Sequence, residues 1–465
     1  MEWWRKGAVE LARAIAAGEA TSREVVESHL GRIEQVNPQV NAVVRTMADT
    51  ALAAADAADA AVRRGDRLGP LHGVPCTVKE NIDVAGLPTT QGIPALAEAV
   101  PGRDAPVVER IRAAGAIPIA RTNLPDLGLR VHTDSALYGR TKNPWAADRT
   151  AGGSSGGEAA ALATGMSPLG LGNDIGGSLR NPAHCCGIAS IKPSSGVVPD
   201  AQTFPIEDIG LSAQLMLNQG PMARRIADVR AGLLALAGPH PRDPVSAPVV
   251  LEGAQGRRLR VAVMADVPGG SVHPDIRSAV IGAGRVLESI GHAVEEVMPP
   301  HVEEACETWR TQMNGELTLQ LELLDAVMGE GGRAFLHLTK DLSPAVGIAE
   351  WSQAQYRRNG IGRAWSEWFA QWDVLLCPVW TQPPFTFDAD ISGPEGARAT
   401  LELLRPVLPP NLLGLPAAVV PFGFADGMPV GVQVVSARYR DLVVLDVAEE
   451  IEQSSDVVTP IDPRA

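Results

Sequence analysis

Two serines stand in separate glycine-rich turns, and one lysine lies far upstream of both. The first turn reads Gly152-Gly153-Ser154-Ser155-Gly156-Gly157, the second Asp174-Ile175-Gly176-Gly177-Ser178-Leu179-Arg180. The lysine is Lys79, within Gly73-Val74-Pro75-Cys76-Thr77-Val78-Lys79-Glu80-Asn81. Glycine beside a hydroxyl lets backbone N–H groups crowd a reacting atom. A lysine without a histidine points to a base other than imidazole. Together these residues ask for acyl-transfer chemistry.

The second turn suits a nucleophile better. An apolar run, Leu169-Gly170-Leu171-Gly172, reads as a buried strand that feeds straight into the loop. Successive N–H groups of Ile175, Gly176, Gly177 and Ser178 can converge on one anion. That would form an oxyanion hole whose last residue supplies the attacking oxygen. A plain glycine turn with a capping serine accounts for the spacing equally well.

Two other motif matches are weaker. Gly152-x-Ser154-x-Gly156 fits a nucleophile elbow, but that elbow must follow a strand. Here Pro144 to Thr150 precedes it and reads as loop. Gly170 to Gly176 brushes a dinucleotide fingerprint with its third glycine one position late. Taken alone, Lys79 also reads as a surface lysine kept charged by Glu80 and Asp83.

These groups need a scaffold. Thr21-Ser22-Arg23-Glu24 is a capping box before an amphipathic helix through Ile33. Helices are expected over 48–64, 105–114, 156–164, 275–290 and 442–451, the last capped by Asp441. Short strands are expected over 74–79, 117–120, 169–172, 188–191, 259–263, 293–297 and 373–377. Segments 417–424 and 430–435 flank Asp426-Gly427, a strong hairpin signal. The pattern implies an α/β fold with a central mixed, twisted sheet covered by helices on both faces. No low-complexity linker or repeat divides the chain, so residues 1–465 read as a single domain. Residues 240–400 read as a helical, tryptophan-rich insertion that shapes the substrate region. Trp365, Trp368 and Trp372 share one helix face, where core packing is the default.

Composition removes several classes. A net charge of −14 argues against a nucleic-acid partner. The uncharged run 406–425 holds Pro406, Pro409, Pro410, Pro416 and Pro421, too many for a membrane-spanning helix. The five cysteines lack Cys-x-x-Cys spacing, and no His-Glu-x-x-His occurs, so no metal site is expected. Free thiols and the absence of a visible secretory signal fit the cytoplasm.

The residues around both serines and the lysine closely resemble the amidase signature family. Further matches are Thr122-Asn123-Leu124-Pro125, Lys142-Asn143-Pro144-Trp145, Gln219-Gly220-Pro221-Met222-Ala223-Arg224 and Asn411-Leu412-Leu413-Gly414-Leu415-Pro416. The similarity covers roughly 20–235 and 370–453. It implies a Ser-cisSer-Lys triad: Ser178 as nucleophile, Ser154 as bridging serine after a cis peptide, Lys79 as base. The reaction implied is cofactor-free hydrolysis of C(=O)–N bonds of small molecules, with aryl esters and carbamates sharing the same tetrahedral chemistry.

Ser155, Asp174 and Arg180 are then expected to brace the oxyanion cradle; Arg180 on a substrate carboxylate is the alternative. Gly128, Leu129 and Val131 fall where the family approaches its acyl pocket. Arg130 and His132 make that loop polar, which weighs against a long acyl chain. His184-Cys185-Cys186 reads as packing. The competing identity is the glutaminase component of a glutamyl-tRNA amidotransferase, its A chain, although Thr133-Asp134-Ser135 matches the glutamine-reading motif poorly. A binding protein with a degenerate triad is the third class, and the presence of all three triad residues opposes it. Family members are often homodimers, but the residues leave the assembly open.

Overall fold

In the computed structural model, described over residues 1–203 and 208–464, thirteen short strands are named in chain order. They are β1 (Val43–Thr46), β2 (Pro75–Lys79), β3 (Ile117–Thr122), β4 (Asp134–Ser135), β5 (Gly139–Arg140), β6 (Leu169–Asp174) and β7 (Ala189–Lys192). Then come β8 (Asn218–Ala223), β9 (Arg260–Val263), β10 (Ala293–Glu296), β11 (Val374–Pro378), β12 (Ala417–Ala425) and β13 (Met428–Ser436). Strands β4 and β5 form a small ribbon; the other eleven make one sheet ordered β1-β3-β2-β6-β8-β7-β12-β13-β11-β9-β10.

The sheet is mixed. Strand β2 runs parallel to β3 and β6, and β9 runs parallel to β10 and β11. Strand β8 is antiparallel to both β6 and β7. One apolar cluster, holding Val78, Leu171, Val229 and Val444, packs on one face. A second, holding Ile119, Leu162, Leu179 and Trp380, packs on the other. The chain is thus a single α/β domain with helices on both faces, as its residue pattern implied.

Most elements fall where expected. Thr21 caps helix Ser22–Val40 with the full capping box, and Asp426-Gly427 turns between β12 and β13. Two departures have physical causes. Strand β8 escaped notice because Asn218, Gln219, Gly220 and Pro221 are poor strand formers; burial between β6 and β7 holds it instead. Asp441 does not cap the last helix, which spans Asp441–Glu452. Its carboxylate accepts from the Ser194 N–H and hydroxyl, both at 2.7 Å.

Region 240–400 supplies the expected strands β9, β10 and β11 to the central sheet besides its helices. Trp365, Trp368 and Trp372 pack into an apolar cluster with Ile361 and Leu413, the packing expected of them, but helix Ile348–Phe369 ends before Trp372, so the three do not share one helix face.

Candidate active site

Lys79 is the last residue of β2. Alternation along that strand sends Cys76 and Val78 into one core and turns Thr77 and Lys79 to the other face. Helix Gly156–Ala163 roofs the latter. It is built from small residues because it lies almost on the strands: a Cβ on Gly157 would run into the Asn123 backbone. This close fit brings Ser154, just ahead of the helix, onto the end of β2. Lys79 Nζ donates to Ser154 Oγ at 2.7 Å and to Asn173 Oδ1 at 2.7 Å. The Gly153–Ser154 peptide is cis.

Lys79 is 0% exposed. Burial lowers its pKa to about 7, against the opposing pull of Asp174 and Glu158. Its sequence neighbours do not hold its charge. Glu80 pairs with Arg121 at 3.1 Å, and Asp83 accepts the Thr203 N–H at 2.7 Å.

Ser178 follows β6 in the second glycine turn and faces the same cavity as Ser154, Asn81 and Asn173. No hydrogen bond joins the Ser154 and Ser178 hydroxyls. Hydrogen bonds between reacting groups are in general often loose without substrate and tighten when it binds.

The turn is held from below. The Asp174 carboxylate accepts the Gly177 N–H at 2.8 Å and the Leu179 N–H at 3.1 Å. Arg180 clamps the same carboxylate from Nε and Nη2, both at 3.0 Å. Asn411 and Gln433 complete the ring, with Asn411 Nδ2 on Asp174 at 2.9 Å and Arg180 Nη1 on Gln433 at 2.6 Å. Arg180 and the Asn411 amide drop the Asp174 pKa to about 2 despite its burial.

Two expectations change here, and one alternative falls away. Gly177 leaves the oxyanion cradle, because its N–H is already given to Asp174; the N–H groups of Ile175, Gly176 and Ser178 have no partner among the described residues. Ser155 does not brace Arg180. Its hydroxyl lies against Gly172 and has no hydrogen-bond partner among the described residues. Arg180 is fully buried in its Asp174 clamp and does not face substrate.

The cavity measures about 440 Å³. Gly128 and Leu129 line it, as expected, and a Cβ on Gly128 would sit 3.3 Å from Ser154 Oγ. Val131 does not; it belongs to the core beneath, packed against Gly153 through its backbone. Arg130 and His132 also turn away. Arg130 Nε bonds Asp390 at 2.7 Å, and His132 Nδ1 lies 2.9 Å from Thr150 Oγ1. The walls are therefore apolar: Ile93, Leu127 and Leu129 on one side, Met313, Leu317 and Leu324 on the other. Glu316 is the only acidic or basic side chain among the described lining residues, and its carboxylate accepts the Ser212 N–H at 2.8 Å.

Sequence reasoning missed Asn173, Trp309 and Glu158. Asn173 adjoins Asp174, but nothing in the chain shows that its amide meets Lys79. Trp309 belongs to no motif, yet its indole Nε1 donates to the Ile175 carbonyl at 2.9 Å. Its ring also lies where a Cβ on Gly176 would go, 2.9 Å from Cζ2, which explains that glycine.

Among the described residues, no helix is long and apolar enough to cross a membrane. Comparison with known proteins agrees with the geometry. A sequence model of the family described as Amidase matches residues 24–445. An indoleacetamide hydrolase of Bradyrhizobium diazoefficiens is 39% identical over 98% of this chain and 87% of its own length. The A chain of the glutamyl-tRNA(Gln) amidotransferase of Chloroflexus aggregans is 34% identical over 95% of each protein. The crystal structure of a bacterial aryl acylamidase of the amidase signature family superposes with a TM-score of 0.85. That pair is 29% identical over 97% of this chain and 96% of the other. The chain belongs to the amidase family, the amidase signature enzymes, which hydrolyse amide C–N bonds.

Proposed function

We propose that the chain hydrolyses neutral, apolar amides, aryl-substituted ones foremost, through an acyl-enzyme on Ser178. The supporting observation is the Lys79–Ser154 hydrogen bond at 2.7 Å beside an apolar cavity that Ser178 also faces.

The steps follow from the groups present. Neutral Lys79 takes a proton from Ser154 as Ser154 takes one from Ser178. Ser178 Oγ attacks the carbonyl carbon, and the N–H groups of Ile175, Gly176 and Ser178 hold the oxyanion. The relay then returns the proton through Ser154 to the leaving nitrogen, and the C–N bond breaks. Water then attacks the acyl ester as it gives a proton to the relay, and the relay passes that proton to Ser178 Oγ as the carboxylic acid departs. No cofactor takes part in this scheme. Asp174 and Arg180 keep the turn in shape and touch no substrate.

Substrate class rests on the cavity walls. Helices Val302–Leu319 and Leu321–Val327 supply Met313, Leu317 and Leu324, so this stretch of the 240–400 region sets acyl or amine preference. Aryl esters and carbamates fit the same tetrahedral chemistry as side activities. The relatives named as amidotransferase components raise a glutaminase reading. Free glutamine carries an ammonium and a carboxylate, and a cavity whose sole charged group among the described lining residues is Glu316 suits it poorly.

A panel tests this reading: an arylacetamide, an anilide, an aliphatic amide, a phenyl carbamate, an aryl ester and free glutamine, assayed side by side. The highest kcat/KM among the amides is expected for the aryl members. Glutamine hydrolysed faster than every other amide would overturn it.

A further inference from the structure

One buried carboxyl next to the relay has no part in the steps above. Glu158 is the third residue of helix Gly156–Ala163, one turn beyond Ser154. It is 0% exposed. Two hydroxyls reach its carboxylate: Thr77 donates to Oε1, and Thr122 donates to Oε2 at 2.7 Å. Both hydroxyls frame Lys79. Thr77 lies two residues before it on the same face of β2, and Thr122 is its partner on β3. On the third side is β6, where Gly170 leaves room: a Cβ there would collide with Glu158. Helix and strand thus meet in two rungs, Ser154 on Lys79 and Glu158 on Thr77.

We infer that Glu158 is the electrostatic partner of Lys79: the two buried groups hold one proton between them, and Glu158 decides how firmly Lys79 keeps it. This rests on the Lys79 relay proposed above, and Glu158 acts through Lys79 as a positioning residue.

The surroundings leave few rivals. The helix carries no other ionisable residue. On β3, Arg121 points to Glu80 and away from this face. The Cys76 thiol belongs to the opposite core, and burial pushes it far up. Asp174, at the end of β6, does act on Lys79, but its Arg180 clamp keeps it ionised with a pKa of about 2. Its pull is therefore constant over the working range. Glu158 differs, because burial raises it to about 7 against the two threonine hydroxyls and Lys79.

Both protonation states can be housed. An ionised Glu158 accepts from Thr77 and Thr122. A protonated Glu158 can donate to Thr77, whose hydroxyl has the Leu169 carbonyl 3.4 Å away as a second acceptor. Two interacting groups that titrate together release protons as a pair. An anion beside Lys79 favours its charged form, which cannot serve as a base. Removing that anion lowers the pH at which Lys79 becomes neutral.

The test is Glu158→Gln, which keeps the shape and removes the charge. The Lys79 titration is followed by NMR on protein labelled with ¹³C-lysine, its resonance assigned by loss in Lys79→Met. The expected result is a midpoint roughly one pH unit lower, with the acid limb of kcat/KM displaced equally and activity retained above it. An unmoved midpoint in a folded Glu158→Gln protein overturns the inference. If that variant does not fold, Thr122→Val removes one donor to the carboxylate, weakens its charge and gives a smaller shift of the same sign; no shift there also overturns it. The NMR midpoint reads Glu158 whether or not the protein turns over, so it stands apart from the fate of the relay. Turnover by Ser178→Ala would defeat the proposed mechanism without moving that midpoint.

Discussion

Lys79 Nζ and Ser154 Oγ meet at 2.7 Å in a place almost closed to solvent. Strand β2 delivers the lysine, and a helix of small residues delivers the serine. The contact matters because lysine is a base only when neutral, and burial brings the Lys79 pKa to about 7.

A pH dependence follows with a fixed sign. The base form grows as pH rises, so kcat/KM should climb through pH 7 and level off above it. Lys79→Met should lose the rise along with the activity. Stability shifts the same way. Between pH 7 and the ordinary lysine value of 10.5, the unfolded chain holds a proton that folded Lys79 has released. Stability therefore rises with pH across that window, and Lys79→Met should reduce the slope in urea titrations. A kcat/KM profile flat from pH 5 to about 9 would contradict the assignment of Lys79 as the base.

Trp309 braces the Ile175–Ser178 turn through the Ile175 carbonyl. Trp309→Phe keeps a ring against Gly176 and removes the donor. The loss should be about 1 kcal/mol, seen as a roughly fivefold lower kcat with KM little changed. Steady-state kinetics on one aryl amide decide it; an unchanged kcat would mean the turn holds itself.

The Asp174–Arg180 pair is buried on both sides. Arg180→Met would strand a carboxylate away from water, a change that typically destabilises by about 3–5 kcal/mol. Urea denaturation should show it directly. A stability within about 1 kcal/mol of wild type, the size of an ordinary surface change, would show that the clamp is dispensable.

Much of this was legible in the chain. Capping chemistry placed helix Ser22–Val40, the Asp-Gly turn placed the β12–β13 hairpin, and glycine patterns located both serine turns. What escaped depends on contacts between distant segments. Val131 sits two residues after Leu129, yet only the latter reaches the cavity. Gly177 lies between two cradle residues, but its N–H turns back to Asp174. Arg130 reads from its position as a polar pocket residue, but Asp390, far along the chain, holds its guanidinium instead. Lys79 is the clearest instance: its acidic neighbours Glu80 and Asp83 suggested a charged surface lysine, and the sheet buries it with both of them facing elsewhere.

The apolar wall makes a substrate prediction. Leu317→Ala trims one face of the cavity. KM for an arylacetamide should rise about tenfold from lost contact, while acetamide, too small to reach the wall, should be unaffected. Equal changes for both would place the aryl group elsewhere.

The central claim is that Ser178 forms the acyl-enzyme. Wild-type protein mixed briefly with an aryl ester or anilide and quenched in acid should carry the acyl mass on the peptide containing Ser178. Ser178→Ala should fold as wild type, carry no acyl group and hydrolyse nothing. Turnover retained by Ser178→Ala, or an acyl group found on another residue, would contradict it.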